Sequence, residues 1–364
     1  AAFLESLRCL AGANSPVIIM TATLTEGLRN SIRRVLPGVR FLRLGGRDEA
    51  IGDTIYIRDA NFEEEMSSTR YVASRISMNE VVGTALGLVG GGRRVLIVIN
   101  DIPTIVGIYR QLVSAGVRAG LIHGRLTRRD RSRVMGRLGE LDVLIGTSAI
   151  EAGVDASFDV LITVPDDPAG LVQRVGRVCR GGGDCTGELY LVCDGDGADR
   201  GLCDYVLSRT VQWRLPYDVS GAVSDTKLLE EYDTGLGKFG VSPLAYLCRP
   251  YVRQDVLGAF LEWVGYSLAR EPLVEVYVRG LDEFKNARVS DVILDSYTLG
   301  VSEVRRIINC VEGVGFIDGN GNSAVSDFDP RRLVDRPIRA YTSFARRYKA
   351  TPVLITRPGC YEGG

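Results

Sequence analysis

The sequence predicts an α/β protein in which a doubly wound parallel sheet is followed by an α+β region. Three observations carry this prediction. Short apolar runs that read as buried strands alternate with helical patterns between residues 76 and 200. These runs are apolar throughout, as is typical of strands covered on both faces of a sheet. Beyond residue 201 the pattern becomes mixed, with a predicted helix near 252–268 and predicted strands of alternating polarity at 273–278 and 292–299.

The composition is that of an ordinary folded protein without a strong charge bias. Of the 364 residues, 45% are hydrophobic and 24% are charged, and the formal net charge is −1. A surface that is basic all over is therefore excluded, so any affinity for nucleic acid must be local. No uninterrupted apolar run reaches the ~18 residues of a membrane helix, and no leader pattern opens the sequence. We expect no membrane partner and a cytoplasmic location.

Cysteine and histidine usage limits the metal and redox chemistry that the sequence can support. There are eight cysteines, none of them in a C-x-x-C pair, and a single histidine, His123. A Cys/His zinc site cannot be assembled from this set, so we expect no metal ligands. A chain of this length also needs no disulfide framework to fold. The cysteines are therefore predicted to be free, mostly buried thiols.

Residues 1–46 are expected to hold a short amphipathic helix and one buried strand. The helix covers Phe3 to Leu10, and the strand covers Val17 to Met20. The strand runs directly into the tripeptide Thr21-Ala22-Thr23. Residues 47–75 have weak periodicity and a polar run, which predicts a linker between two folded parts.

Regular alternation begins at residue 78. A helix to about residue 89 is followed by a Gly-rich break and a strand over 95–99. Asp101 is a predicted N-cap with Pro103 in the first turn, so the next helix should begin there. The following strand covers 119–122. Because the carboxyl ends of parallel strands face the same edge of a sheet, the loops after these strands are expected to carry function.

A basic segment follows the strand that ends at residue 122. Thr127 and Asp130 form a capping-box pattern, which predicts a helix to about Leu138. Between residues 118 and 137 the sequence has one acid and seven arginines: Arg118, Arg125, Arg128, Arg129, Arg131, Arg133 and Arg137. This is the local basic patch that nucleic-acid binding would require, although a solvated helix face would give the same pattern.

The stretch from Asp142 to Arg180 concentrates the candidate functional residues. Apolar runs at 143–145 and 160–164 predict two buried strands, and Pro165 and Pro168 separate the second strand from the next element. A helix is predicted from Ala169 to about Cys179. The order is therefore strand, loop, strand, turn and helix.

Polar and apolar residues lie on opposite sides of that last predicted helix. Its apolar stripe contains Leu171, Val175 and Val178, whereas Gln173, Arg177 and Arg180 share the other side. Guanidinium groups on a packed helix are suited to binding phosphate through their forked donors. An ordinary amphipathic helix with solvated arginines would show the same spacing, so the spacing alone leaves both interpretations open.

Two motifs in this stretch resemble those of superfamily 2 helicases. The octapeptide Gln173-Arg174-Val175-Gly176-Arg177-Val178-Cys179-Arg180 resembles motif VI, Q-R-x-G-R-x-x-R. The nonapeptide Thr147-Ser148-Ala149-Ile150-Glu151-Ala152-Gly153-Val154-Asp155 resembles motif V, at the expected spacing. Upstream, Thr21-Ala22-Thr23 resembles motif III. The wording E-A-G-V-D followed by F-D-V-L-I-T most resembles the CRISPR-associated helicase of type I interference systems.

The resemblance implies a domain order. Residues 76–200 would be a second RecA-like helicase domain, with a doubly wound parallel sheet. It would be preceded by the last strands of a first RecA-like domain at 1–46 and by the linker at 47–75. An α+β accessory domain at 201–364 would come after it and cover the single strand.

The part of such a helicase that binds nucleotide has no counterpart in the sequence. No G-x-x-x-x-G-K-[ST] loop occurs, and the near miss at Gly235 to Lys238 lacks the first glycine and the hydroxyl residue. We therefore expect a first RecA-like domain to be supplied upstream or on another chain. The chain alone is expected to be inactive.

The resemblance also implies roles around ATP and magnesium, with magnesium held mainly by the first domain. The expected catalytic residues are Arg177, Arg180 and Gln173. The expected nucleotide-binding residues are Gly153, Asp155 and Arg174. Coupling of the nucleotide site to the nucleic-acid groove would fall to Thr21, Ala22 and Thr23.

The implied substrate is single-stranded DNA, contacted mainly through its phosphates. The residues expected to bind it are Thr147, His123, Arg125, Arg128 and Arg129. Further partners would be a CRISPR surveillance complex and a separate nuclease. Two alternatives stay open: an RNA or repair helicase of the same superfamily, and a non-catalytic nucleic-acid-binding module if no first domain is supplied.

Overall fold

A computed structural model describes residues 2–12, 15–21, 24, 26–44, 48–58, 69–151, 153–180, 185–208 and 273–361. These residues fall into two compact units. The first unit contains Phe3–His123 and Met135–Val241, and the second contains Gly124–Val134 and Ser242–Gly364. The short segment 124–134 therefore groups with the C-terminal part of the chain, and the predicted boundaries at 46, 75 and 200 do not coincide with those of the units. The predicted helix at 252–268 and the near-miss loop at 235–238 lie outside the described residues.

The N-terminal part of the first unit has a small core of its own. Helix α1 (Ala2–Gly12) and helix α2 (Glu26–Val35) precede strands β1 (Phe41–Leu44), β2 (Glu49–Ile51) and β3 (Thr54–Ile57). The strands form a sheet in the order β1-β3-β2, with β1 and β3 parallel. The buried residues of this core are Leu4, Leu7, Ile32, Val35 and Phe41.

The strand predicted in this region is wrong. Residues 17–20 form no strand, since none of the strands in the described ranges pairs with them. Val17 and Ile19 pack on the small core, whereas Ile18 and Met20 are each 90% exposed. The predicted linker at 47–75 contains β2, β3 and most of a strand of the main sheet. The sequence did not reveal β2 and β3, because strands of three or four residues are too short to show a clear period.

Six parallel strands form the main sheet of the first unit, in the order β4-β9-β8-β5-β7-β6. They are β4 (Thr69–Ile76), β5 (Val95–Val98), β6 (Ala119–Ile122), β7 (Val143–Gly146), β8 (Val160–Thr163) and β9 (Cys185–Val192). Every residue of β5, β7 and β8 is buried, as their apolar sequences predicted. The doubly wound parallel sheet expected from the sequence is confirmed.

Helices connect these strands with the alternation of a doubly wound fold. They are α3 (Val81–Gly90), α4 (Ile102–Ser114), α5 (Arg128–Gly136), α6 (Pro168–Val175) and α7 (Arg200–Leu207). Asp101 caps α4 as predicted, because its carboxylate accepts from the N–H of Thr104 at 2.8 Å. From β5 the chain adds β6 and β7 on one side and then crosses to β8 on the other. The carboxyl ends of β5 and β8 therefore border the switch point, where ligands bind in sheets of this type.

The second unit has a five-stranded mixed sheet in the order β11-β10-β14-β12-β13. The strands are β10 (Leu273–Tyr277), β11 (Ser296–Gly300), β12 (Val311–Ile317), β13 (Ser323–Ser326) and β14 (Val353–Thr356). The helices are α8 (Leu281–Lys285), α9 (Val289–Leu294), α10 (Val301–Ile307), α11 (Arg331–Asp335) and α12 (Pro337–Tyr348). The strand predicted at 292–299 is wrong in part, since its first residues finish α9 and only its end belongs to β11.

Helix α6 ends at Val175, four residues earlier than predicted. Residues beyond it leave the helix because their backbone pairs with the segment before β8. The N–H of Phe158 donates to the carbonyl of Arg177 at 2.9 Å, and the N–H of Cys179 donates to the carbonyl of Phe158 at 2.9 Å. Cys179 has a left-handed φ of 55°, which no helix accommodates. Arg177 and Arg180 therefore lie on an irregular segment after the helix.

The prediction of free thiols is wrong for six of the eight cysteines, which form disulfides. The pairs are Cys179–Cys185, Cys193–Cys203 and Cys310–Cys360. Their Cα atoms lie 5.8, 6.1 and 6.0 Å apart, within the usual range for a disulfide. The partners are brought together by the fold at sequence separations that no short cysteine motif reveals.

Candidate functional site

Motif VI begins on a well-anchored helix. Asp167 caps α6, since its carboxylate accepts from the N–H of Gly170 at 2.7 Å, and Pro168 occupies the first turn. Leu171 and Val175 are fully buried, and Val178 beyond the helix end is buried with them. The predicted apolar stripe is therefore real. It fixes the start of the segment that carries the two candidate catalytic arginines.

Arg177 and Arg180 lie beside the motif V loop. Arg177 donates from Nη2 to the backbone carbonyl of Glu151 at 2.8 Å. Arg180 forms an ion pair from Nη1 to Oδ1 of Asp155 at 2.7 Å. The backbone N–H of Arg180 also donates to Oγ of Ser157 at 2.9 Å. The structure thus brings together the motif V and motif VI residues that the sequence singled out.

The electrostatics of this pair follow from their proximity. Burial, followed by the positive charge of Arg180, lowers the pKa of Arg177, whereas Asp155 acts in the opposite direction. The side chain of Arg180 is 44% exposed and that of Asp155 is 90% exposed. Two neighbouring guanidiniums that repel one another and remain open to solvent form a surface on which an anion is stabilised.

Arg174 is placed differently from its predicted role at the nucleotide. Its side chain is 2% exposed, and its three nitrogens bond inside the first unit. Nε donates to Glu151 at 2.8 Å, Nη2 to Asp166 at 2.8 Å, and Nη1 to the carbonyl of Val164 at 2.9 Å. A direct contact between Arg174 and a nucleotide would require this side chain to leave the interior. The direct role stays a prediction, and in this structure Arg174 ties the motif V loop to the end of β8.

The motif V loop has the backbone that its sequence predicted. Gly153 has a φ of 84°, in the left-handed region that a side chain disfavours, so glycine permits the tight loop there. Thr147 precedes a short 3₁₀ turn at Ser148–Ile150, and its hydroxyl accepts from the N–H of Ala149 at 3.3 Å. The Thr147 side chain is half-buried, and Gln173 on α6 is half-buried as well.

One polar residue at this edge was missed by sequence reasoning. Asn100 follows β5 at the sheet's switch point, and its side-chain carbonyl accepts from the N–H of Ser148 at 2.7 Å. Its amide nitrogen donates to Oδ2 of Asp166. The signal was available, because a polar residue directly after a buried central strand of a parallel sheet points to the functional edge.

The arginine-rich segment is largely ion-paired, which the sequence did not predict. Within the second unit, Arg129 bonds both oxygens of Asp295 at 2.7 and 3.0 Å, and Arg125 pairs with Glu303. Arg133 pairs with Asp130 at 3.0 Å. In the first unit, the remaining paired members of the patch are Arg118 with Asp142 and Arg137 with Glu140.

Two further contacts anchor the start of α5. Thr127 and Asp130 form the predicted capping pair, with the N–H of Asp130 donating to the Thr127 hydroxyl at 3.1 Å. The hydroxyl of Tyr361 accepts from the N–H of Thr127 at 2.7 Å and donates to Asp130 at 2.9 Å. Burial raises the pKa of Tyr361 to about 12. Arg128, by contrast, is exposed, and no ion pair is seen for it in the described part of the chain.

Other predicted site residues are not brought to this edge as accessible groups. His123 directly follows β6 and is 2% exposed, so its predicted contact with a nucleic-acid backbone would require the side chain to become accessible. Thr21 is exposed after the segment 15–20, and Ala22 and Thr23 lie outside the described residues. Among the residues that the structure describes, no cluster of three or more His, Cys, Asp or Glu could hold a metal ion.

The fold of the main sheet is that of a RecA-like domain, and the order of the motifs resembles that of the second such domain in superfamily 2 helicases. Residues 91–182, which include the motif V loop and both candidate catalytic arginines, match the family described as CRISPR-associated nuclease/helicase Cas3, C-terminal. The crystal structure of T. fusca Cas3 superposes with a TM-score of 0.56 at 15% identity, covering 98% of this chain and 48% of that chain. The chain thus resembles the C-terminal half of a superfamily 2 helicase, and within the superfamily it resembles Cas3.

Curated relatives cover the same region in part. The CRISPR-associated helicase Cas3 of Thermoproteus tenax is 34% identical over 106 residues, which are 27% of this chain and 18% of that protein. The ATP-dependent DNA helicase RecG of Mycobacterium leprae is 41% identical over 87 residues, 21% of this chain and 12% of that protein. The DEAD-box ATP-dependent RNA helicase CshB of Bacillus subtilis is 34% identical over 99 residues, 26% of this chain and 23% of that protein. The chain therefore spans less than a quarter of each of these three relatives.

In the described helices, none combines the length and the hydropathy needed to cross a bilayer.

Proposed function

We propose that this chain is the C-terminal half of an ATP-dependent helicase that translocates along single-stranded DNA in CRISPR interference. The observation that carries the proposal is the pair Arg177 and Arg180, held beside the motif V loop by Glu151 and Asp155. Such arginines, called arginine fingers, can stabilise the charge that develops when a terminal phosphate is transferred to water. We refer to Arg177 and Arg180 as the finger arginines. A first RecA-like domain that carries G-x-x-x-x-G-K-[ST] would supply the rest of the centre. We call the two parts together the assembled helicase.

The residues present fit the phosphates of ATP. A guanidinium has five N–H donors, so the contact of Arg177 with one carbonyl and that of Arg180 with one carboxylate leave donors for a second acceptor. The repulsion between the two cations is relieved by an anion between them. ATP, when bound, supplies the bond that is hydrolysed. Magnesium would be held mainly by the first domain.

The remaining residues of this edge would position the finger arginines. Asp155 would hold Arg180 and meet the ribose, Gly153 would permit the loop, and Gln173 would help to order the segment. These roles follow from the motif positions and from the Arg180–Asp155 distance of 2.7 Å. Arg174 would act from the interior, through Glu151, rather than by touching the nucleotide.

Nucleic-acid phosphates would bind on the loops at the carboxyl edge and on the basic segment. Arg128 is the exposed candidate on α5, and Thr147 is the candidate on the motif V loop. Arg125 and Arg129 could join them only by exchanging their carboxylate partners for phosphates. Phosphate contacts carry no sequence information, which suits a motor that moves along any sequence.

The DNA and CRISPR parts of the proposal rest on similarity to Cas3, and the partners would be a CRISPR surveillance complex and a separate nuclease. The runner-up is an RNA or repair helicase, which the similarity to CshB and to RecG favours. Comparing the stimulation of ATP turnover by single-stranded DNA and by single-stranded RNA decides between them. Greater stimulation by RNA would contradict the DNA assignment.

The finger assignment is tested with Arg177→Ala in the assembled helicase. We expect DNA-stimulated ATP hydrolysis to fall by about 10³-fold or more, because a finger arginine contributes that much to turnover. Binding of single-stranded DNA, followed by fluorescence anisotropy, should stay close to wild type. Arg137→Ala is the matched control, since Arg137 is an exposed arginine that pairs with Glu140. Retained turnover in Arg177→Ala would contradict the proposal.

A non-catalytic nucleic-acid-binding module is the second class of function. It would apply if no partner supplied a phosphate-binding loop. ATP hydrolysis is therefore measured for this chain alone and after addition of a polypeptide that carries the loop. Turnover only in the mixture supports the helicase, whereas no turnover in either sample supports the binding module.

A cytoplasmic location is part of the proposal and must accommodate the three disulfides. Disulfides are rare in reducing cytosols, with hyperthermophiles as a known exception. Rapid alkylation of the cysteines in intact cells, followed by mass spectrometry, reports whether Cys310 and Cys360 are oxidised in place. Fully alkylated thiols would show that this disulfide is not formed inside the cell.

A further inference from the structure

A continuous chain of polar contacts crosses the carboxyl edge of the main sheet. It begins at Ser148 on the motif V loop, whose N–H donates to Asn100 at 2.7 Å. Asn100 then donates to Asp166, and Asp166 accepts from Arg174 Nη2 at 2.8 Å. These contacts link the residues that follow three neighbouring strands of the sheet, β7, β5 and β8.

The same chain continues to a finger arginine. Arg174 Nε donates to Oε1 of Glu151 at 2.8 Å, and the backbone carbonyl of Glu151 accepts from Arg177 Nη2 at 2.8 Å. Arg174 is anchored further by the hydroxyl of Thr163 at 3.2 Å and the carbonyl of Val164 at 2.9 Å. Each link is within hydrogen-bond distance, so a shift at one end must either move the next group or break a bond.

The burial of Arg174 makes the chain stiff in its centre. Desolvating a guanidinium is costly, and it is tolerated because two carboxylates, a hydroxyl oxygen and a backbone carbonyl surround the site. Burial raises the pKa of Glu151, and the contact with Arg174 opposes that rise. A satisfied buried ion pair is weak support for stability but strong support for a fixed geometry.

Both ends of the chain, by contrast, are reachable from solvent. Ser148 and Asn100 are exposed, and Arg177 is half-buried beside the exposed pair of Arg180 and Asp155. The outer end lies next to Thr147, the proposed phosphate contact for nucleic acid. The other end is the proposed phosphate contact for ATP. Two ligands that bind at opposite ends of a rigid network are coupled through it.

We propose that Asn100, Asp166 and Glu151, bridged by the buried Arg174, form a relay that couples nucleic-acid binding at the Thr147–Ser148 loop to the position of Arg177. They are positioning residues, since they act through other side chains and contact neither ligand. The inference rests on the proposed function and adds two residues that lie outside the helicase motifs, Asn100 and Asp166. It predicts that the relay controls how strongly nucleic acid stimulates ATP turnover.

The test uses the direction of the Asn100–Asp166 hydrogen bond, in which Asn100 donates and Asp166 accepts. Asn100→Asp keeps the acceptor for Ser148 but faces a second carboxylate, and Asp166→Asn keeps an acceptor for Arg174 but faces a second amide. Combining N100D with D166N restores every bond with the direction of one hydrogen bond reversed. Each single variant changes the net charge by one and the double variant restores it, so the control must carry the same change in charge as D166N without touching this contact.

We expect each single variant to reduce the stimulation of ATP turnover by single-stranded DNA about tenfold, within the usual range of coupling between two sites. ATP turnover without DNA should change little, because the hydrogen bond from Arg177 to the carbonyl of Glu151 involves neither Asn100 nor Asp166. The double variant should restore the stimulation to near wild type. The control is Asp142→Asn, the same change in an Asp that pairs with Arg118 at 2.5 Å at the opposite end of the sheet.

Three outcomes would overturn the relay. One is wild-type stimulation in both single variants. Another is a double variant that melts like wild type but stays uncoupled. The last is an equal loss of stimulation in D142N. If D166N fails to fold, N100D alone carries the test, because Asn100 is exposed. The proposed function fails separately, when Arg177→Ala retains turnover.

Discussion

Arg129 donates from Nε and Nη2 to the two carboxylate oxygens of Asp295, at 2.7 and 3.0 Å. The partners are 166 positions apart in sequence. Asp291 lies 3.6 Å from the same guanidinium, so Arg129 sits in an acidic recess of the second unit. A segment that the sequence marks as basic and free therefore contributes to the packing of the C-terminal part of the chain.

The Arg129–Asp295 pair is expected to stabilise the second unit. Burial would raise the pKa of Asp295, but the guanidiniums of Arg129 and Arg279 outweigh it and hold that pKa below its ordinary value. Asp295→Asn should lower the free energy of unfolding by about 1.5 to 3 kcal/mol at pH 7, the range for hydrogen bonds to charged groups. Urea denaturation of the chain measures this difference.

The sign of the pH dependence follows from the lowered pKa. An acid whose pKa is depressed in the folded state stabilises that state above its unfolded pKa, ~3.9 for Asp, and loses the effect as pH falls through the folded value. The gap between wild type and Asp295→Asn should therefore shrink below about pH 4. Asp282→Asn is the control, because Asp282 is exposed and pairs only at the surface with Lys285. A gap that persists at low pH would count against the ion pair.

The arginine-rich segment shows why part of the site could not be predicted. A window from 118 to 137 contains one acid, yet Arg125 and Arg129 find Glu303 and Asp295. These carboxylates lie 178 and 166 positions away. Local sequence carries no information on contacts of that separation. The patch is predictable from sequence, but its neutralisation is not.

The contrast with the main sheet is physical. The strand at 95–98 and the cap at Asp101 were predicted because apolar runs and capping residues act locally. The end of α6 was misplaced because it is set by Phe158 and by the Cys179–Cys185 disulfide, both remote from the helix pattern. Local rules therefore gave the elements, and tertiary pairing decided where the finger arginines lie.

Arg128 should carry more of the nucleic-acid affinity than its paired neighbours. Arg128→Ala is expected to weaken binding of single-stranded DNA at all sequences and to reduce the slope of log K against log salt by about 0.7, the value for one phosphate contact. Arg133→Ala is the matched control on the same helix, where Arg133 is tied to Asp130. Fluorescence anisotropy across a salt series gives both slopes. Equal losses of DNA affinity in the two variants would show that the ion pair with Asp130 does not keep Arg133 from binding phosphate.

Gly146 is required where β7 passes into the motif V loop. A Cβ there would lie 2.0 Å from the carbonyl oxygen of Ile122, closer than any real contact. Gly146→Ala should destabilise the first unit by about 1 to 3 kcal/mol, since the neighbouring strand must move. Gly139→Ala is the control, because nothing lies within 4 Å of its added Cβ, and its effect should stay within about 0.5 kcal/mol. Thermal unfolding followed by circular dichroism compares the two. Equal melting temperatures would contradict the close approach.

The disulfides should separate stability from activity. Cys310 and Cys360 close a loop of 50 positions, and Cys179 and Cys185 close one of 6, so loop entropy predicts losses of about 4 and about 2 kcal/mol when each pair is replaced by serine. The disulfide with the smaller predicted loss, Cys179–Cys185, is the one next to Arg180. The Cys179→Ser/Cys185→Ser variant should therefore lower ATP turnover of the assembled helicase more than its modest destabilisation would suggest.

The matched variant for activity is Cys310→Ser/Cys360→Ser, which removes the longer loop but lies in the second unit. At a temperature where both variants are folded, its turnover should stay near wild type. Non-reducing denaturation gives the stabilities, and steady-state ATP hydrolysis gives the activities. If turnover falls in proportion to stability in both variants, the disulfide at Cys179 serves the fold alone. If it falls selectively in the variant that lacks Cys179, that disulfide holds the segment on which Arg177 and Arg180 depend, because the helix itself stops at Val175.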